Sequence, residues 1–196
     1  MELNLDIFKI ESNNVAPQKG RILLAEPFLA GNYFSRSIIF LVAHSSKGAV
    51  GFILNKKVDF PIQDVVSDFP EFDGEVYIGG PVATDSIYFI HKLGDKVSGS
   101  IQITENLYWG GNFEELKRIV KLGLVNPSDV RFFLGYSGWD SGQLEDEIKE
   151  NSWLVNDVEE ESIMNAFSPE SWVDFVKKVG KRYSIWENFP ENPSLN

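Results

Sequence analysis

The passage best suited to chemistry is Phe132-Phe133-Leu134-Gly135-Tyr136-Ser137-Gly138-Trp139-Asp140-Ser141-Gly142-Gln143-Leu144-Glu145, an apolar run followed by a glycine-rich turn and an acidic stretch. Strand, sharp turn and helix in that order are the setting of a nucleophile elbow, in which a serine hydroxyl is raised above a sheet within G-x-S-x-G. Gly135 and Ser137 fit that pattern, but Trp139 stands where the last small residue must be. No histidine follows Ser137, so His44 or His91, the only two in the chain, would have to fold back to serve as its base. The alternative use of the same turn is structural. Gly138 and Gly142 permit backbone angles closed to other residues, and Asp140 with Gln143 three residues on forms a helix-capping pair.

Other chemistries find little support. Neither G-x-G-x-x-G nor G-x-x-x-x-G-K-[ST] occurs, so no phosphate-cradling loop is signalled. The chain has no cysteine, which removes disulfides, thiolate nucleophiles and Cys-ligated metals. His44 and His91 are too far apart in sequence for the i, i+4 pair of a helical zinc site. No cofactor and no metal are expected.

Charge narrows the partners. The 196 residues carry 18 Lys plus Arg and 29 Asp plus Glu, a net charge of −11. Between Asp140 and Glu161 nine acids face one base, Lys149, a local net charge of −8. Such a surface repels a phosphate backbone and could instead receive a basic protein partner. Two basic clusters, Lys117-Arg118 with Lys121 and Lys177-Lys178 with Lys181-Arg182, fall near the C-terminal ends of expected helices, where cations complement the helix dipole. The first residues are acidic rather than basic, and the longest apolar run, Ile38 to Ala43, is far below the roughly 20 residues that span a bilayer. The expected compartment is the cytoplasm.

The elements that would position these residues can be read from periodicity and punctuation. Apolar, often β-branched runs predict strands over 21–25, 37–43, 49–54, 75–78, 86–91, 99–104, 130–136 and 153–155. Helical spacing predicts a short helix over 61–69 and a longer one opened by Asn112, with Glu115 as its capping-box partner. A further short helix is expected over 143–150, and a last one begins at Ser168-Pro169 and ends at Gly180. The result is one domain over 1–196 of α+β class, with residues 1–19 as an N-terminal extension and 183–196 as a loose C-terminal tail.

Several motifs together resemble the YqgE/AlgH family. Gly135-Tyr136-Ser137-Gly138-Trp139 followed by Gly142-Gln143-Leu144-Glu145 and Glu147 is similar to its G-Y-x-G-W-x-x-G-Q-L-E-x-E signature. Gly20 to Ala25 with Pro27, Phe34-Ser35-Arg36-Ser37, Gly48 to Asn55, Gly79-Gly80-Pro81-Val82, His91, Trp153, Phe167 and Trp172 stand in the family's order. The likeness spans residues 20–180. Asp140-Ser141 departs from it, since the family more commonly has small uncharged residues there. The resemblance implies a compact domain of several strongly coiled sheets, one part barrel-like, with helices outside. The family carries a transcriptional-regulator label without a recognised DNA-binding motif.

From this comes the expectation of a cytoplasmic binding or regulatory protein that acts through protein partners. The alternative is a hydrolase-like enzyme using the Ser137 turn or a carboxylate site. Arg36, Asn55, Gly80, His91, Trp139 and Gln143 are the candidates for a ligand cleft. The charge balance predicts that, at physiological salt, anisotropy titration with duplex DNA will show no binding tighter than the roughly 10⁻⁴ to 10⁻⁶ M of nonspecific association; sub-micromolar affinity would contradict it.

Overall fold

Alternation along the apolar runs assigns each residue to a side. In the computed structural model, which describes residues 11–29, 31, 33–165 and 167–189, strand β1 (Ile22–Ala25) is buried throughout. Ile22 and Leu24 enter one core while Leu23 and Ala25 enter another on the opposite face. β2 (Ile38–Ser45) and β3 (Gly48–Ile53) form a hairpin that pairs Ser45 with Gly48 across Ser46-Lys47. β1 lies antiparallel between β2 and β9 (Trp153–Asn156). One face of this group is covered by helix α5 (Ser171–Val179) and a 3₁₀ helix, Lys181–Asn188, which contribute Trp172, Val176, Tyr183 and Trp186. The other is covered by α3 (Gln143–Lys149) through Leu144 and Ile148.

β8 (Val130–Asp140) connects this group to the remaining strands. Along one edge it pairs first in parallel with β4 (Val76–Ile78), at Phe132 to Leu134, and then antiparallel with β3, at Ser137 to Asp140. Its other edge carries β5 (Val82–His91), beyond which lie β7 (Tyr108–Trp109) and β6 (Ile101–Gln102). A third core forms where α1 (Ile62–Val65) and α2 (Phe113–Lys121) cover β4, β5 and β8, so the adjacent Phe132 and Phe133 point into different cores. A short helix, α4 (Glu160–Ile163), follows β9.

The α+β class and single domain stand, with a correction to the sheets. Among the described residues the strands form one nine-stranded sheet, in the order β6-β7-β5-β8-β3-β2-β1-β9 with β4 also on β8, antiparallel except for β4–β8 and open rather than barrel-like. Side chains bond both end strands. Asn13 brackets Val155 of β9, its Nδ2 donating to the Val155 carbonyl (2.6 Å) and its Oδ1 accepting from the Val155 N–H (3.3 Å). Lys19 donates to the Gln102 carbonyl on β6 (3.0 Å).

Other expectations shift locally. The Asn112 side chain caps α2 by accepting from Glu115 N–H (3.1 Å), but the Glu115 carboxylate turns to the Ser98 N–H (2.7 Å), so the reciprocal half of the capping box is absent. α5 begins at Ser171 rather than at Ser168-Pro169. Residues 183–188, expected as the start of a loose tail, belong to the 3₁₀ helix, whose Trp186 stacks on Trp172 with ring centroids 6.1 Å apart. Residues 190–196 lie outside the described residues.

The largest correction concerns residues 137–140. They are not a turn, because β8 bends at Gly135 (φ 67°) and keeps its pairing to Asp140. The bend is where Gly79 and Gly80, leaving β4, cross β8 at backbone contact. A Cβ on Gly79 would lie 2.1 Å from the Gly135 carbonyl oxygen, and one on Gly80 would lie 2.3 Å from the Tyr136 carbonyl. Gly138, expected to hold a positive φ, lies in the regular strand opposite Val50, and a Cβ there would meet side chains alone, the Tyr136 ring at 3.1 Å and Val82 at 3.9 Å. The order of sensitivity follows. Gly135→Ala, which adds left-handed strain to contacts of 2.7 Å with the Gly80 and Val82 carbonyls, should cost about 2–4 kcal/mol by denaturant midpoint, and Gly79→Ala a similar amount. Gly138→Ala should cost less than about 1 kcal/mol; equal losses at all three positions would refute the crossing.

Candidate functional site

The six residues put forward for a cleft separate into four places. Gly80 belongs to the backbone crossing. Trp139 and Gln143 belong to a clamp on α3. Both indoles of Trp139 and Trp153 donate to one oxygen of Glu147, at 2.8 and 2.7 Å, and the Gln143 amide donates to the other at 2.9 Å. The Gln143 carbonyl meanwhile accepts from the Asp140 N–H (2.9 Å), the local bond that the Asp140–Gln143 pairing anticipated, although Gly142 (φ 78°) is the residue at the helix cap. The two indole rings meet edge to face, 5.9 Å apart. This clamp accounts for much of the G-W-x-x-G-Q-L-E-x-E pattern: it ties α3 to β8 and β9 by charge-assisted hydrogen bonds.

His91 sits at the end of β5, fully buried, with Tyr108 stacked on it. Its Nδ1 accepts from the Leu93 N–H (3.2 Å), which assigns the ring proton to Nε2, facing the Gly110 carbonyl (3.1 Å) and the Ser100 hydroxyl (2.9 Å). A nitrogen that already carries a proton cannot accept the one on Ser100, whose hydroxyl lies 2.7 Å from the Val97 carbonyl. Burial pushes the His91 pKa down, against the Gly110 hydrogen bond. His44, the other histidine, contacts Glu145 at 2.8 Å.

Ser137 is likewise committed. It is fully buried within β8, and its hydroxyl donates to the Gly79 carbonyl (3.1 Å), which also accepts from the Ile53 N–H (3.0 Å). The hydroxyl thus fastens the glycine crossing rather than standing above a turn, and Ser137 does not sit on a nucleophile elbow.

Arg36 and Asn55 do come together. Asn55, which is buried, accepts from the Ile38 N–H and donates to the Arg36 carbonyl, both at 2.9 Å. This holds Arg36 in a left-handed conformation (φ 49°) at the entrance to β2. Its guanidinium lies over the Trp172 ring, 5.1 Å from the centroid, and donates to the Phe189 carbonyl. Together with Ser35, Lys56, Lys57, Asp59, Phe167 and Pro169 these residues line a cleft of about 760 Å³. Burial lowers the Lys56 pKa, and Lys57 donates to Glu75 at 2.7 Å.

Sequence reasoning passed over Arg131. Buried on β8, it donates from Nη1 to the Ile163 and Asn165 carbonyls (2.6 and 3.1 Å) and from Nη2 to the Leu54 carbonyl (2.9 Å). Its guanidinium lies 4.0 Å over the Tyr77 ring. Burial lowers the Arg131 pKa and raises that of the Tyr77 phenol, which donates to Glu75, to about 12. The signal for this strut was a lone cation inside the apolar run Val130-Arg131-Phe132-Phe133. Among the described residues no group of His, Asp and Glu is arranged to hold a metal ion.

Fold and site define an α+β domain in which the motif residues secure the sheet and a small basic cleft opens beside it. The chain belongs to the AlgH-like family, whose model, DUF179, matches residues 22–184. It is 41% identical over 197 residues to a UPF0301 protein of Bacteroides thetaiotaomicron, covering the whole of both chains. It is 43% identical over 193 residues to one from Parabacteroides distasonis, covering 97% of this chain and 98% of that one. Among solved structures, the AlgH protein of Pseudomonas aeruginosa is similar with a TM-score of 0.70 at 25% identity, over 90% of this chain and 97% of the other. A Corynebacterium diphtheriae protein shares the fold at a TM-score of 0.73 and 23% identity, over 96% and 100%.

Two expectations follow. Glu147→Ala, which leaves two largely buried indole N–H groups without their acceptor, should lower stability by about 2–4 kcal/mol, and Glu147→Gln by less; no change in either would show that the clamp is not formed in solution. Because the folded-state pKa of His91 is depressed, the unfolded chain binds its proton first, and stability is lost as pH falls below the unfolded value of about 6.5. The stability difference between wild type and His91→Gln should therefore be constant above pH 7.5 and shrink by up to about 1.4 kcal/mol per unit below pH 6.5. A difference independent of pH would contradict a buried neutral imidazole.

Proposed function

We propose that this AlgH-like protein is a cytoplasmic binding or regulatory module without turnover, which acts on a protein partner or bound ligand and not by reading DNA. The carrying observation is that the groups best suited to chemistry are used to hold the fold. Ser137 is buried and fastened to Gly79, and the protonated nitrogen of His91 faces Gly110 and Ser100. No helix among the described residues is long and apolar enough to cross a membrane. Within the acidic stretch Glu145, Asp146, Glu147, Asp157 and Glu160 have partners inside the chain. Asp140, Glu150, Glu159 and Glu161 are exposed and supply the surface on which a basic protein partner would dock.

The test of the non-catalytic reading is a screen of short-chain esters and thioesters with wild type and Ser137→Ala. Neither should hydrolyse them above the buffer rate, and Ser137→Ala should lose only about 0.5–1.5 kcal/mol of stability. Robust hydrolysis that disappears in a folded Ser137→Ala protein would overturn it.

A further inference from the structure

The cleft between the start of β2 and the segment after β3 stands against the charge of the rest of the molecule. The chain has a net charge of −11, yet Arg36, Lys56 and Lys57 line this cleft against a single lining acid, Asp59. Its volume of about 760 Å³ lies within the roughly 300–1,000 Å³ of small-molecule sites. Phe167 and Pro169 give it an apolar wall. From these features we infer that the cleft binds a small organic phosphate, the phosphoryl group lying between Arg36 and Lys56 and the organic part against Phe167 and Pro169.

The geometry favours a built site over an accident of surface charge. Arg36 is a non-glycine residue at φ 49°, a strained conformation that persists only where neighbours enforce it. Asn55 enforces it from below through two hydrogen bonds, and the Trp172 face supports the guanidinium. Lys56 is partly buried, so its ammonium is less hydrated than a surface lysine's and interacts more strongly with an anion brought to it. Lys57 lies further out and shares its charge with Glu75. A phosphate monoester, carrying about −1.5 to −2 charges at neutral pH, answers two cations that line one cleft better than a single carboxylate does. The ligand would join or displace contacts that Arg36 and Lys56 already make within the chain, including the Arg36 bond to the Phe189 carbonyl.

This inference rests on the non-catalytic reading only in treating the phosphate as a ligand rather than a substrate, and one experiment separates the two. Adenosine monophosphate, inorganic phosphate, adenosine and citrate are titrated by calorimetry at low salt into wild type, Arg36→Asn, Lys56→Gln and, as a control elsewhere on the surface, Lys149→Gln. Asn is chosen at position 36 because it tolerates the left-handed conformation, and circular dichroism with thermal midpoint verifies that each variant folds. The expected result is saturable binding of the monophosphate, weaker binding of inorganic phosphate, none of adenosine, and a loss of at least tenfold in Arg36→Asn and Lys56→Gln but not in Lys149→Gln. Phosphorus NMR of the same samples over hours should show the monophosphate intact. Absence of binding at millimolar ligand, adenosine or citrate binding as tightly as the monophosphate, or equal affinity in all four proteins would overturn the site and leave the non-catalytic reading untouched. Release of phosphate by wild type would overturn the non-catalytic reading and confirm that the cleft takes phosphate if Arg36→Asn abolishes it.

Discussion

The contact on which the other elements depend is the crossing of Gly79-Gly80 over β8 at Gly135-Tyr136. Two backbones approach there so closely that a single methyl group on either would overlap a carbonyl of the other. Three hydrogen bonds tie the crossing to its surroundings: Gly79 N–H to the Leu134 carbonyl (2.8 Å), and the Ile53 N–H and Ser137 hydroxyl to the Gly79 carbonyl. Because β8 bends there and resumes pairing beyond the bend, β4 and β3 can share one of its edges end to end. The three apolar cores are thereby assembled on one continuous strand, and the entrance to the Arg36 cleft is set by the strands the crossing fixes.

The conspicuous sequence motif does a different job from the one its residue types suggest. A serine between glycines beside tryptophan and an acidic helix invites an enzymatic reading, yet Ser137, Trp139, Gln143 and Glu147 each have a partner that explains them structurally. Glu147 gathers two indoles and an amide, Gln143 returns to the Asp140 N–H, and Ser137 supports Gly79. Concentrating these groups where α3, β8 and β9 meet fixes the position of the helix. On the other side of β2 and β3, Arg36, Asn55 and Lys56 line a cleft in which cations predominate.

Much of this was legible in the sequence, and the exceptions have physical causes. The long apolar strands and α2 declare themselves because burial on one or two faces imposes a period on the residues. β7, two residues long, has no period to show, and the 3₁₀ helix carrying Tyr183 and Trp186 lies next to prolines that read as a tail. Gly135 and Gly138 look alike in sequence, yet only the first is required by a close approach, a fact set by Gly79 more than fifty residues away. Arg36 and Asn55 stood in the sequence among six candidates, the other four of which lie elsewhere, and Lys56 and Lys57 were not among them, since nothing local distinguishes a cleft lysine from a surface one. His91 and Trp139 drew attention as polar or aromatic residues in motifs, and their roles became evident only with Leu93, Gly110 and Glu147 around them.

The most direct test of the account is native-state amide exchange at the crossing. Gly79 and Ile53 donate hydrogen bonds within it, so their amides should exchange only through global unfolding, with a free energy equal to that from denaturant titration and the same denaturant slope. Exchange of these two amides through local opening, several kcal/mol below the global value and insensitive to denaturant, would contradict the claim that the glycine crossing holds the sheet together.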